Sequence, residues 1–283
     1  MRSQLPEIAR LASQALVSEV MLAPKPGLVD PISNGAHSDM DVDTFLASVG
    51  ALAPFFPEYL ELGRRSTGEQ DLYHQLRRTG RQAEASMLSV TGGVNTHKGA
   101  NFSLGFLLGA LGRLLASASL SQLAAADFAP LFPLVSRLAA ASMEELTGLD
   151  QQDGLSHGQE VYLRDGAAGV RGEACAGYPM LRLVVLPYLR SSPEYADTRY
   201  LRLMTLLMSG LEDANLLHRG GRPGLVFVQT NARALQTLPA TCLAQALRDF
   251  DRELIERHLS PGGSADYLSL AYFFDGLIEL ADC

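Results

Sequence analysis

An all-α fold follows from three features of this chain. Apolar stripes at helical spacing run along most of its length, leucine greatly outnumbers isoleucine, and no run alternates apolar and polar residues long enough for a half-buried strand. The two strand-like pieces, VVLPY and LVFVQ, sit inside longer helical patterns. With 283 residues, 47% of them hydrophobic, the chain can bury one large core, so a single domain over 1–283 is the simplest organisation.

The helices can be taken in order. Ile8, Leu11, Ala12, Ala15, Leu16 and Val20 form a stripe that Pro24 and Pro26 stop. Asp41 and Asp43 can cap a second helix carrying Phe45, Val49, Leu52 and Phe56. A third covers roughly 71–90, with Leu72, Leu76 and Met87 inward and Arg77, Arg78 and Arg81 outward. The segment after Lys98 is apolar on nearly every face, and small Gly105, Gly109 and Ala110 permit close approach, which predicts a central buried helix. Further helices are predicted over about 128–146, 177–190, 197–210, 223–236, 241–258 and 261–279.

Composition excludes several classes. The apolar stretches around 99–112 and 114–126 fall short of the ~20 residues of a membrane span. Glu7 interrupts the apolar pattern of the N-terminus, which lacks a signal layout, so a cytoplasmic location is expected. Cys175, Cys242 and Cys283 match no metal or disulfide spacing and read as reduced thiols. A net charge of -8 argues against nucleic-acid binding but leaves room for a locally positive pocket.

The stretch TGGVNTHKGANFSLG looks at first like a phosphate loop. A P-loop reads Gly, four residues, then Gly-Lys, whereas here Lys98 precedes Gly99, and no β-branched run stands before it. Of 23 basic residues only Lys25 and Lys98 are lysines, and both lie in Gly- or Pro-rich segments. A compact ammonium approaches phosphate where a planar guanidinium is too bulky. Asn34, Asn95 and Asn215, with His37, His97 and His218, fall in three Gly-punctuated polar segments. Five such segments, 25–41, 91–100, 166–179, 211–221 and 260–268, are expected to be inter-helix loops that meet to build a site.

Each candidate group has a plain structural alternative. Gly92 and Gly93 before a helix leave free N–H groups for an anion, with Asn95, Thr96 and Lys98 suited to phosphate oxygens; a helix capped by Thr96 is the alternative. Asp39 near His37, and Asp213 near His218, offer hard oxygens for Mg²⁺, while Asp41 can equally be a cap. Arg171 suits phosphate, and Glu173 can either hold Arg171 or act as a base. Helix-start stabilisation accounts for Pro261 and Asp266 in SPGGSAD.

Six segments, PKPGLVD, NGAHSDMD, GGVNTHKGA, RGEACAGYP, DANLLHRGG and LSPGGSAD, occur here in an order that closely resembles the triphosphoribosyl-dephospho-coenzyme A synthases. That resemblance spans nearly the whole chain. It implies transfer of the triphosphoribosyl group of ATP to the 2′-hydroxyl of 3′-dephospho-coenzyme A with release of adenine, for the prosthetic group of citrate lyase. A sister family serves malonate decarboxylase. One departure is Asp213-Ala214-Asn215, where the family often carries Asp-Thr-Asn.

The implied reaction keeps the triphosphate and breaks the bond from C1′ to adenine, so no P-loop is needed. On this resemblance Lys25, Lys98, Arg171 and Arg219 grip the triphosphate, with Mg²⁺ held between its oxygens, Asp39 and Asp213. Glu173 aligns or deprotonates the attacking hydroxyl, and His97 protonates adenine. The implied partners are ATP, 3′-dephospho-coenzyme A and the downstream holo-acyl-carrier-protein synthase, with no nucleic acid and no membrane. An Mg²⁺-dependent N-ribosyl or ADP-ribosyl hydrolase and a non-catalytic helical nucleotide sensor are the rival classes.

Overall fold

Pro54 decides the first departure from that reading. The second predicted helix is two helices, because a proline supplies no N–H and its ring strikes the preceding turn. In the computed structural model, which describes residues 4–149, 154–194 and 196–283, α1 (Leu5–Met21) is followed by α2 (Val42–Leu52) and α3 (Phe55–Arg65). Asp41 caps α2 in a reciprocal capping box with Thr44. Next come α4 (Glu69–Val90), α5 (Lys98–Leu114), α6 (Leu120–Ala125) and α7 (Leu131–Ala139), the last running on as a 3₁₀ turn over Ala140–Leu146. No strand occurs among the described residues, and both VVLPY and LVFVQ are helical.

The second half holds α8 (His157–Asp165), α9 (Gly169–Cys175), a π-type turn Leu181–Val185 leading into α10 (Leu186–Ser191), α11 (Ala196–Gly210), α12 (Ala214–Leu235), α13 (Ala240–Glu256) and α14 (Gly262–Asp282). Three of the five expected loops are therefore partly helical: α9 occupies the middle of 166–179, α12 starts within 211–221, and α14 starts within 260–268. The segments 25–41 and 91–97 remain irregular connections, as do 166–168 and 176–178 on either side of α9. Gly221, at φ 60° and ψ -164°, breaks α12 just ahead of Pro223.

Helix α5 is the axis of the core, buried at nearly every position from Ala100 to Gly112. It lies against α3 at a distance only glycine allows. A Cβ on Gly63 would stand 1.8 Å from the Gly109 carbonyl oxygen, and one on Gly112 would stand 2.0 Å from that of Leu60. The Tyr59 ring covers Gly105, and its hydroxyl donates to Asn101 Oδ1 at 3.0 Å. Helices α1 and α14 pack together on another side of this axis, and α11 and α12 extend the bundle beyond α14. Among the described residues no helix is long and apolar enough to cross a membrane.

Candidate active site

The short segment Leu259–Tyr267, which turns into α14, touches all five other segments singled out above. The Leu259 carbonyl lies against Gly27, where a Cβ would come within 2.4 Å of its oxygen. Ser260 Oγ meets His37 Nε2 at 2.9 Å. A Cβ on Gly262 would stand 1.9 Å from Asn215 Nδ2, and Ser264 donates its N–H to Asp213 Oδ2 at 2.9 Å. The Asp266 carboxylate is pressed on Gly99, and Tyr267 donates its hydroxyl to Glu173 Oε2. The glycines are thus contact points between helices and side chains rather than joints of loose loops.

Lys25 sits on the floor of this hub. Its Nζ donates to the Glu19 carbonyl at 2.6 Å and to the Glu19 carboxylate, and both side chains are buried. Burial pushes the Glu19 carboxyl up, opposed by the Lys25 ammonium. Asp30 fixes the connection after Lys25 by accepting the N–H groups of Lys25 (2.7 Å), Ile32 (2.7 Å) and Ser33 (2.9 Å).

Asp213 is a double clamp. Oδ1 accepts from the N–H groups of Asn215 (3.0 Å) and Leu216 (3.3 Å), while Oδ2 takes the N–H and hydroxyl of Ser264. It therefore caps α12 and ties it to the start of α14. Burial raises its pKa, and the backbone donors oppose that shift. Asp39, in contrast, is exposed, with His37 Nδ1 at 3.8 Å. Among the described residues no group of three or more His, Cys, Asp or Glu side chains is arranged to hold a metal ion.

His97 is buried, with Nδ1 2.8 Å from Ser48 Oγ, which in turn accepts from Thr96 Oγ1 at 2.7 Å. Since Ser48 receives the Thr96 proton, its own proton is free for Nδ1, which leaves the ring proton on Nε2. That nitrogen has no partner among the described residues. Burial, then the nearby Lys25 charge, pulls the His97 pKa down to about 3, so the ring is neutral. His37 is likewise neutral, at about 4 through burial and Arg219. Arg219 is spent on the carbonyls of Ala36 (2.9 Å) and His258 (3.2 Å) and on His37 Nδ1.

A second cluster lies along α4 and α5. Lys98 pairs with Glu84 at 2.5 Å, and Asn95 Oδ1, not Thr96, accepts the Lys98 N–H at 3.2 Å. One turn along α5, the Phe102 ring lies under both Arg77 (5.4 Å) and Arg171 (5.7 Å). Both guanidiniums hold Glu145, at 2.6 and 3.0 Å. Arg77, expected to point outward, is instead half-buried in this pairing because Glu145 and Phe102 give its charge and stem a place to pack. Arg171 is held by Glu145, which frees Glu173 for Tyr267. Burial, then Glu212, raises Glu173, while the Tyr267 hydrogen bond lowers it.

The sequence reading did not pick out Glu19, Tyr178, Tyr267 or the Arg77–Glu145 pair. Tyr267 directly follows SPGGSAD and Tyr178 lies inside RGEACAGYP, so position within those segments was the available signal. A hollow of 250 Å³ between the 25–41 connection and the start of α2 is lined by Asp30, Asn34, Asp41 and Asp43 among others, the wrong charge for a triphosphate.

Fold and site together define an all-helical protein in which six distant segments meet around buried carboxylates, with Lys98 and Arg171 in a second cluster on α4, α5 and α9, a layout suited to an anionic nucleotide and acid–base chemistry. Residues 6–282 match the CitG family, described as ATP:dephospho-CoA triphosphoribosyl transferase. A probable 2-(5''-triphosphoribosyl)-3'-dephosphocoenzyme-A synthase of Streptococcus equi subsp. zooepidemicus is 45% identical over 280 residues, covering 95% of each chain. One so named in Streptococcus mutans is 40% identical over 292 residues, covering 99% of each. No solved structure matches. The chain belongs to the ATP:dephospho-CoA triphosphoribosyl transferase family and is a transferase acting on ATP.

Proposed function

We propose that the six-segment hub is where the C1′–adenine bond of ATP is broken and the ribose passed to the 2′-hydroxyl of 3′-dephospho-coenzyme A. The observation that carries this reading is the contact of Leu259–Tyr267 with every other segment, which brings Glu173 and Asp213, far apart in sequence, to the start of α5 beside His97. Glu173, half-buried and oriented by Tyr267, takes the proton of the attacking hydroxyl, a contribution of about 10²–10⁴ in rate. His97, neutral, presents its Nε2 as a hydrogen-bond donor only.

The triphosphate is gripped by Lys98 and Arg171, with Asn95 and Thr96 holding the entry to α5 in shape. Arg219 fixes the 25–41 connection against the hub, and Lys25 supports the floor. Mg²⁺ comes with the nucleotide and neutralises phosphate charge. Asp39, exposed near Arg219, is the carboxylate open to it, whereas both Asp213 oxygens are already engaged by backbone donors. The product serves citrate lyase through the downstream holo-acyl-carrier-protein synthase, with malonate decarboxylase as the alternative destination. A cytoplasmic location fits these substrates and three free cysteines.

The test is adenine release from ATP and Mg²⁺, followed by chromatography with and without 3′-dephospho-coenzyme A, for the native chain, Lys98→Arg and Glu173→Gln. Adenine that appears only with the acceptor, and falls sharply in both variants, supports the reading. Adenine without acceptor makes the protein a hydrolase. Near-normal turnover in Glu173→Gln removes that residue as the base.

A further inference from the structure

A departing adenine needs a proton, and the hub contains a carboxyl better placed to supply it than His97. His97 is 3% exposed, and its Nδ1 is tied to Ser48. Asp266 lies one turn into α14, half-buried, between Ser264, which is clamped to Asp213, and Tyr267, which is bonded to Glu173. Its carboxylate rests on the first turn of α5, where a Cβ on Gly99 would fall 2.0 Å from Oδ2. Among the described residues no cation or side-chain donor engages it. The ammonium of the floor, Lys25, is taken by Glu19 instead.

We propose that Asp266 is the catalytic acid of this reaction, donating its proton to a ring nitrogen of the leaving adenine while Glu173 accepts the proton of the incoming hydroxyl. The inference rests on the bond cleavage proposed above.

The surroundings of the two carboxyls set these opposite roles. Asp266 faces Asp213 from the start of α12 and Glu19 from α1, and accepts a hydrogen bond from the Ala100 N–H in α5; burial and the two like charges hold its pKa well above the ordinary carboxylate range, against the opposing pull of that N–H. Burial, then Glu212, raises Glu173 as well, but less, because the Tyr267 hydroxyl stabilises its anion. Two carboxyls raised to different degrees in this way divide the acid and base roles between them. The buried Tyr178 hydroxyl lies within electrostatic reach of both.

The proton count closes. The C1′–N bond breaks with its electron pair on adenine, which takes the Asp266 proton. The acceptor oxygen bonds to C1′, and its proton goes to Glu173. Return of one proton from Glu173 to solvent and of one from solvent to Asp266 restores both groups.

The test pairs ATP with 4-nitrophenyl riboside 5′-triphosphate, whose nitrophenolate leaves without a proton, both with 3′-dephospho-coenzyme A present. Asp266→Asn is expected to lose about 10²–10⁴-fold in adenine release and to stay within about tenfold of the native rate on the nitrophenyl substrate. Equal losses on both substrates, or near-native adenine release, overturn the assignment. The native enzyme gives a check that needs no variant to fold. Its kcat/KM should fall at alkaline pH with ATP and show no such fall with the nitrophenyl substrate; the same alkaline fall on both overturns the proposal. Failure of the native protein to release adenine at all strikes the parent reading instead.

Discussion

Lys25 and Lys98 carry the same ammonium into opposite surroundings. Lys25 is 1% exposed and locked on Glu19 beneath the hub, whereas Lys98 is 41% exposed at the mouth of α5 and paired with Glu84 near the surface. A buried pair resists loss of either partner, because the remaining charge has nowhere to go; an exposed pair exchanges readily with water, salt or a phosphate. Two lysines that look alike in sequence are therefore a structural pillar and an available cation.

The largest effect should come from Lys25→Met. It strands Glu19 in the floor and is expected to cost about 3–5 kcal/mol in urea unfolding, part of which returns when Glu19 is also changed to Gln. A loss below about 1 kcal/mol would erase the contrast between the lysines.

Acid should strike the Lys25 side next. The folded-state pKa of His97 is about 3, below its unfolded value of 6.5, so the native state binds fewer protons than the unfolded chain between those pH values. The group costs nothing above pH 6.5, and stability drains away as pH falls, by about 2–3 kcal/mol at pH 4.5. His97→Gln should flatten that slope in melts taken across this range; an unchanged slope would assign the acid sensitivity elsewhere.

Gly99→Ala probes the seam between the two lysines. Its methyl would meet the Asp266 carboxylate at 2.0 Å, for about 1–3 kcal/mol of overpacking and a marked loss of adenine release. Lys98→Met should be the mildest for the fold, within about 1 kcal/mol, yet raise the KM for ATP about tenfold. Equal melting-temperature losses in Lys25→Met and Lys98→Met would merge the two environments.

Much of this was legible in the chain. The helical period identified α1, α4, α5, α11, α13 and α14, since burial on one face leaves a direct mark on residue order. Asp41 was readable as a cap because its partner, Thr44, is three residues away. The segments around 166–179, 211–221 and 260–268 misled for one reason. A glycine marks either a bend or a close approach: Gly166, Gly177 and Gly221 have positive φ, whereas Gly262 and Gly263 are helical residues facing Asn215 and Asp213. The partners of Arg77, Arg171 and Asp266 were unreadable because they come from elements tens of residues away.

The sequence by itself determined that the chain is helical, that α5 is central, that six segments matter, and which family they resemble. Each of these rests on periodicity or on local residue order. Only the tertiary structure decided that Leu259–Tyr267 is the hub, that Lys25 is interior and Lys98 open, and that Asp266 lies against Gly99. Those facts depend on burial and on contacts between distant elements, which set desolvation, pairing and hence protonation, and no local pattern encodes them.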